Sequence, residues 1–254
     1  AGAAWDVKLM HIKVFQSTGQ GNSTNIAAGV EYANSNGATI INMSFGSYAE
    51  SSTLKLALEN AYNTSILVGA AGNNGVAIGP CNICAPLYPG AYTFVLGVED
   101  SPKPGSPDFG YTNFDQDGPV YPAYPLDVLN YELTVPGTRI ISTVPNGGYA
   151  TLTGTSMAAP LVAGALALYK QLKPGDNKEL MFGNLINTAS TYVDFLAAIE
   201  IVPTPKLAIL STIERDTINS QNGNGFWEPG ETIEILPAIK NYWGPTGDVR
   251  VGIA

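Results

Sequence analysis

The chain has 254 residues, 45% of them hydrophobic and 13% charged, with a formal net charge of −9. That length and apolar content suit one large α/β domain, or one domain and part of a second, with a sizeable buried core. The acidic balance excludes a nucleic-acid partner, whose phosphates it would repel, and no apolar run reaches the ~18 residues of a membrane span.

Residues 5–15 read as a strand, because Val7, Leu9, Met10, Ile12 and Val14 put apolar groups on both faces, as in a buried parallel sheet. The polar stretch 16–22 is a turn. Asn22, Ser23 and Thr24 offer caps for a helix to about Asn36, with Ile26, Val30 and Ala33 on one face and Asn36-Gly37 as its stop. Residues 38–43 form a short buried strand. Ser51 to Thr53 cap a second helix carrying Leu54, Ala57, Leu58 and Ala61 in register, and residues 65–70 are the next strand. Strands and helices alternating at short spacing make βαβ units, hence a parallel sheet with right-handed crossovers. Reactive groups in such sheets gather beyond the carboxyl ends of the strands. Those places are Gly19-Gln20-Gly21, Ser44-Phe45-Gly46 and Ala71-Gly72-Asn73-Asn74-Gly75.

The chain from 75 to about 136 is rich in proline and glycine and reads as mostly loop. Cys81 and Cys84 are its two cysteines. They fit a loop-bracing disulfide or a pair of free thiols; the βαβ context of a redox pair and the second ligand pair of a zinc site are absent. Beyond this region, residues 134–142 lead to a serine.

That serine is Ser156, in Gly154-Thr155-Ser156-Met157-Ala158-Ala159-Pro160, which ends a polar run and opens an apolar one through Tyr169. The pattern places it where a loop becomes a helix, with Pro160 in the first turn, where its missing N–H loses no partner. A serine there is either an N-cap or a hydroxyl beside free N–H groups able to stabilise an anion formed on an attacked carbonyl. It is not the nucleophile elbow of α/β-hydrolases, because Ala158 stands where that motif has its second glycine.

The string 154–160, followed by Val162-Ala163-Gly164, resembles the nucleophile motif of the subtilisin-like serine peptidases, the subtilases. The resemblance covers about residues 1–187 and implies a three-layer α/β/α fold with a parallel sheet. Residues 88–98, 109–113 and 134–142 follow the family's pattern, the first as a turn and strand and the last as a short strand leading to the serine, while 115–127 is longer than the family needs and is taken as an inserted surface loop with aromatic residues. The resemblance makes Ser156 the nucleophile of an endopeptidase that works through an acyl-enzyme, and Asn73 the side-chain oxyanion donor. It gives Ser44, Phe45 and Gly46 one wall of the pocket for the residue before the scissile bond, and Gly19 and Gly21 the segment that pairs with an extended substrate. Ala71, Gly72 and Thr155 complete the substrate-binding set. Phe45 and the nearby glycines suggest a roomy apolar pocket. The partner implied is a peptide or protein, and the chemistry requires no cofactor. One departure is Leu161, where the family usually has a non-catalytic histidine.

The resemblance also implies an Asp motif and a His-Gly-Thr motif, and neither is present. The one histidine is His11, inside the expected first strand. A serine hydroxyl needs a base and a carboxylate to orient it, so the expectation is an N-terminally truncated peptidase domain, inactive alone. The alternative is a non-catalytic scaffold or binding module that keeps the fold. No signal peptide is recognisable, yet the Asn-, Ser-, Gly- and Tyr-rich composition with few lysines suits a secreted protein.

After the Ser156 helix, Lys173-Pro174-Gly175 stops it, Asp176 caps a helix to about 187, and 194–201 reads as one short helix more. The prolines in 202–205 stiffen a linker. The chain therefore divides into a peptidase-like domain, 1–202, and an incomplete β-rich module, 206–254. The module begins like a β-sandwich, with strands near 206–213 and 232–236, and is shorter than the ~100 residues of one. Between them Asp216, Asn222, Asn224, Glu228 and Glu231 supply hard oxygen ligands for a structural calcium ion, or simply an Asx-rich turn.

Overall fold

A computed structural model describes residues 3–78, 85–100, 111–115, 131–188, 195–200, 207–215 and 234–241. Its central sheet has four parallel strands, β1 (Ile40–Met43), β2 (Ile66–Ala70), β4 (Leu96–Asp100) and β6 (Leu133–Val135), in the order β1-β2-β4-β6. The short strands β3 (Ala77–Ile78) and β5 (Phe114–Asp115) pair in parallel beside it. A hairpin of β7 (Ile140–Val144) and β8 (Gly148–Leu152) precedes the serine, turned by Asn146 and Gly147, both at positive φ. β9 (Leu207–Arg215) and β10 (Glu234–Asn241) form a separate antiparallel pair.

Helices cover both faces of the sheet. On one side α1 (Ser23–Ser35) and α2 (Ser52–Tyr62) bury Ile26, Val30, Leu54 and Leu58 with Met43, Leu67 and Val95. On the other, α3 (Thr155–Leu172), α4 (Lys178–Thr188) and α5 (Phe195–Glu200) pack on Ile66, Val68, Ala70, Val98 and Leu133. The strand β2 shows why three layers result. Alternate side chains point to opposite faces, so Leu67 enters one core while Ile66, Val68 and Ala70 enter the other, and all five residues of the strand are buried. Ala158, Val162, Leu166 and Tyr169 make the stripe of α3 that faces the sheet, at the spacing expected of one buried helix face. Each fully buried leucine contributes about 1.5–3 kcal/mol.

The predicted caps of α1 and α2 are present: Asn22 accepts from Asn25 N at 2.8 Å and Ser51 from Leu54 N at 3.3 Å. At α4 the cap is Asn177, accepting from Leu180 N at 2.8 Å, rather than Asp176. The carboxylate of Asp176 accepts instead from the Tyr169 hydroxyl.

One predicted element does not form. Residues 5–15 make no sheet ladder, and β1 pairs only with β2 among the described residues. Apolar residues on both faces indicate a strand only if a neighbour supplies the hydrogen bonds. Without one, Trp5 is 93% exposed and Leu9 73%. The end of the segment still leans on α1 and its approach: a Cβ at Gly29 would meet Val14 at 2.5 Å, and one at Gly21 would meet Phe15 at 2.8 Å. The proposed linker at 202–205 and the oxygen-rich stretch 216–231 lie outside the described residues, as do Cys81, Cys84 and, after its first residue, the expected insertion 115–127.

Tyr169 links α3 to α4. Its buried hydroxyl donates to Asp176 Oδ2 at 2.9 Å and accepts from Asn184 Nδ2 at 2.6 Å. Burial pushes its pKa from 10.0 up to about 12, with Asn184 opposing the rise and Asp176 adding to it. The unfolded chain therefore gives up this proton first, so the contribution is full below pH 10 and is lost as pH rises toward 12. Thermal melts across that range should show a shallower decline for Tyr169→Phe than for the parent chain. Near neutral pH the same variant should be less stable by about 1 kcal/mol.

Candidate active site

The site sits at the carboxyl ends of the sheet strands. Helix α3 begins at Thr155 with Gly154 as N-cap, at φ 145° and ψ 166°, a region that essentially only glycine occupies. Ser156 is thus the second residue of the helix and not its N-cap, and Gly154 brings no side chain of its own to cap this end. Pro160 lies one turn further in than the sequence suggests, as the sixth residue of α3. A proline inside a helix removes the hydrogen bond to the carbonyl four residues back, here that of Ser156. Ser44 Oγ fills the gap, donating to Ser156 O at 3.0 Å, while Ser156 Oγ donates to Ser44 O at 3.3 Å. The two serines are held by reciprocal bonds between the end of β1 and the start of α3.

Asn73 joins the same point from the loop after β2. Its Oδ1 accepts from Thr155 N at 2.9 Å and from Thr155 Oγ1 at 3.2 Å. A backbone N–H can only donate, so this contact fixes which way the Asn73 amide faces. The carbonyl oxygen is committed to Thr155, and the exposed side chain keeps its NH₂ as the group available to a ligand. Thr155, wholly buried, also accepts from Gly72 N at 3.0 Å. Of the sequence-derived set, Ser44, Ala71, Gly72, Asn73, Thr155 and Ser156 are therefore brought together by direct bonds or chain adjacency.

The remaining members flank this group. Phe45 stacks edge-on to Phe15 with ring centroids 5.1 Å apart, and Gly21 packs on Phe15. Thus the turn bearing Gly19, at φ 79°, and Gly21 lies on the Phe45 side. The Phe45 ring is part of the α1–α2 core. Gly46 admits Leu87 and Tyr88 closely: a Cβ there would stand 2.5 Å from Leu87 and 2.9 Å from Tyr88 O. His11 is exposed in the irregular segment before α1. No group of three or more His, Cys, Asp or Glu able to hold a metal occurs among the described residues.

Sequence reasoning missed the residues that hold these loops. Asp100 ends β4, is 1% exposed, and accepts from Gly137 N at 2.6 Å and Thr138 Oγ1 at 3.0 Å. Gly137 O in turn accepts from Gly154 N at 3.1 Å, so Asp100 sets the approach to the serine loop. Glu99 stands beside Asp100 at the end of the apolar run, and nothing local told the two acids apart. Asn113 and Tyr48 brace the Asn73 loop. Tyr131, at the start of the β6 approach, accepts from Leu87 N at 3.0 Å, and burial raises its pKa. Tyr131 carried no pattern that distinguished it in the sequence, and Asn113 only closed the stretch 109–113 that follows the family's pattern, with no role marked for it.

Comparison with known proteins adds the family. The profile described as the subtilase family matches residues 1–225. Subtilisin DY of Bacillus licheniformis is 35% identical over 195 residues, covering 76% of this chain and 65% of the relative. Subtilisin Savinase of Lederbergia lenta is 34% identical over 191 residues, covering 75% of this chain and 63% of the relative. Among solved structures, a protease from Pseudoalteromonas arctica superposes with a TM-score of 0.65 at 28% identity, covering 79% of this chain and 64% of that one. Sphericase superposes with a TM-score of 0.51 at 29% identity, over 65% of this chain and 54% of that one.

Removing the Thr155 hydroxyl tests the joint between the two loops. Thr155→Val leaves Gly72 N–H without its acceptor and should cost about 1–3 kcal/mol. Thr155→Ser keeps the oxygen and should recover most of that. Urea unfolding of the two variants beside the parent measures both.

Proposed function

The chain belongs to the subtilase family, and from that premise we propose that it is the nucleophile-bearing part of a secreted serine endopeptidase. The observation that carries this reading is the convergence of Ser156, at the start of α3, with Asn73, whose amide is oriented by Thr155. In the proposed reaction Ser156 Oγ attacks a peptide carbonyl as a base removes its proton. The carbonyl oxygen becomes an oxyanion held by Asn73 Nδ2–H and the Ser156 N–H. Collapse breaks the C–N bond, the base protonates the leaving amine, and an acyl-enzyme remains. Water, deprotonated by the same base, attacks the ester and frees Ser156. Oxyanion donors fixed in advance spare the cost of reorienting solvent dipoles, which is why they are effective.

Ser44, Phe45 and Gly46 on one side and Ala71 and Gly72 on the other are the proposed pocket walls, with Gly19 and Gly21 beside an extended substrate. The substrate is a peptide or protein. No helix among the described residues is long and apolar enough to cross a membrane. The steps above need no cofactor. Asp216, Asn222, Asn224, Glu228 and Glu231 stay our candidates for a structural calcium ion. The division at 202–206 into a peptidase domain and a β-rich module is likewise a proposal.

The base and the carboxylate that orients it are, in this reading, supplied by polypeptide outside these 254 residues. The Ser156 hydroxyl donates its hydrogen bond to the Ser44 carbonyl oxygen in this structure, and a carbonyl is far too weak a base to activate an alcohol. A fluorophosphonate probe should therefore leave this chain unlabelled, while a longer product of the same gene that carries the base is labelled at Ser156 and Ser156→Ala is not. Labelling of the 254-residue chain would overturn the account of the base. An unlabelled longer product would favour the non-catalytic binding module. In the longer product, before any probe is added, Asn73→Ala should lower kcat about 10²–10³-fold.

A further inference from the structure

Asn113 stands just before β5 and is completely buried. Both ends of its amide are used. Oδ1 accepts from the backbone N–H of Asn74 and of Val76, each at 3.0 Å. Nδ2 donates to Ala71 O at 2.9 Å and to the Tyr48 hydroxyl at 3.0 Å. The backbone of Asn113 adds a bond from its N–H to Gly72 O at 2.8 Å. Tyr48 passes the connection on, donating to Asn74 Oδ1 at 3.1 Å. The loop residues before Asn73 and those after it are thus gripped by one side chain, and none of these bonds is to Asn73 itself. Gly72, at φ 107°, leaves the room this needs, since a Cβ there would run into Asn113 Nδ2.

We propose that Asn113 is a positioning residue for Asn73, holding the 71–76 backbone so that the Asn73 amide meets the oxyanion. The proposal rests on the oxyanion role argued above for Asn73. A buried amide with four side-chain hydrogen bonds is a rigid part, because losing it leaves several buried backbone groups without partners. The loop contains Gly72 and Gly75, both at positive φ, so little else in its own chemistry resists reorientation. A displacement of about 1 Å at a catalytic group can cost about 10²-fold in rate. Tyr48 extends the hold to the loop after β1, which carries Ser44, so one network registers both the donor and the partner of the nucleophile.

Two measurements test this. In the 254-residue chain, amide hydrogen exchange at Asn74 and Val76 should quicken at least about tenfold in Asn113→Ala relative to Val68 and Val98 in the sheet. Asn184→Ala, which removes a bond to Tyr169 between α3 and α4, should leave that ratio unchanged. In a longer product that carries the activity, Asn113→Ala should lower kcat about 10–100-fold with KM within about threefold, well below its melting temperature. Asn184→Ala should lower the melting temperature without that fall in kcat. If Asn73→Ala keeps the parent kcat, the oxyanion reading fails and the Asn113 proposal with it. If Asn73→Ala loses activity while Asn113→Ala keeps it, the proposal for Asn113 alone is overturned, as it is by unaltered exchange at Asn74 and Val76.

Discussion

The paired bonds from Thr155 to Asn73 Oδ1 join two loops 82 residues apart in sequence. One loop leaves the carboxyl end of β2 and the other begins α3. Neither is rigid by itself, since Gly72 and Gly154 both sit at positive φ. The joint converts two permissive backbones into one geometry, and it does so with an oxygen, so the nitrogen of the same amide remains for other work. Everything attributed to the site requires this orientation. A flipped Asn73 would set its NH₂ against the Thr155 N–H, two donors face to face, so the network itself selects one rotamer.

The sheet makes that joint possible by being dry and by stopping where it does. Among the described residues the buried polar side chains are Ser65, Asp100, Asn113, Thr155 and Asn184. Burying such groups is unfavourable unless they are bonded. Asp100, Asn113 and Thr155 all spend their bonds on loops at the carboxyl ends of the strands. The other two lie elsewhere: Ser65 donates to Ala38 O at 2.6 Å ahead of β2, and Asn184 binds Tyr169 between helices. The core thus places polar contacts where backbone must be held without a ladder, and the interior of the sheet needs none.

Much of this was legible in the sequence because it is periodic. The faces of α1 and α2, the caps Asn22 and Ser51, and the strands at 40–43 and 66–70 follow from spacing and local chemistry. So do the placing of Ser44 and Asn73 at strand ends, once the βαβ order is read, and that of Ser156 where a loop becomes a helix. Residues 5–15 were misread because side-chain pattern reports which faces are apolar and not whether a neighbouring strand exists. Pro160 was placed a turn early because proline signals only that an N–H is dispensable, and a serine elsewhere in the chain can make it so. Asn113, Asp100 and Tyr48 were invisible for a different reason. Their value lies in contacts 26 to 65 residues away, and an isolated Asn or Tyr between turns has no local mark of such a role.

The misplacement of Pro160 leads to the last point about the nucleophile. With an ordinary residue at 160 the Ser156 carbonyl would belong to the helix ladder, and Ser44 Oγ would have no reason to approach. Proline releases that carbonyl, Ser44 Oγ binds it at 3.0 Å, and this draws Ser44 O close enough to accept a hydrogen bond from Ser156 Oγ at 3.3 Å. The first bond is of ordinary length for oxygen donors and the second is long. Ser156 is therefore fixed strongly through its backbone and weakly through its hydroxyl. On the proposed reading that is the useful combination, because a nucleophile must keep its position while its proton is taken by something else. A helix that kept its full ladder would supply the position without Ser44, and then nothing would tie the serine to the wall that follows β1.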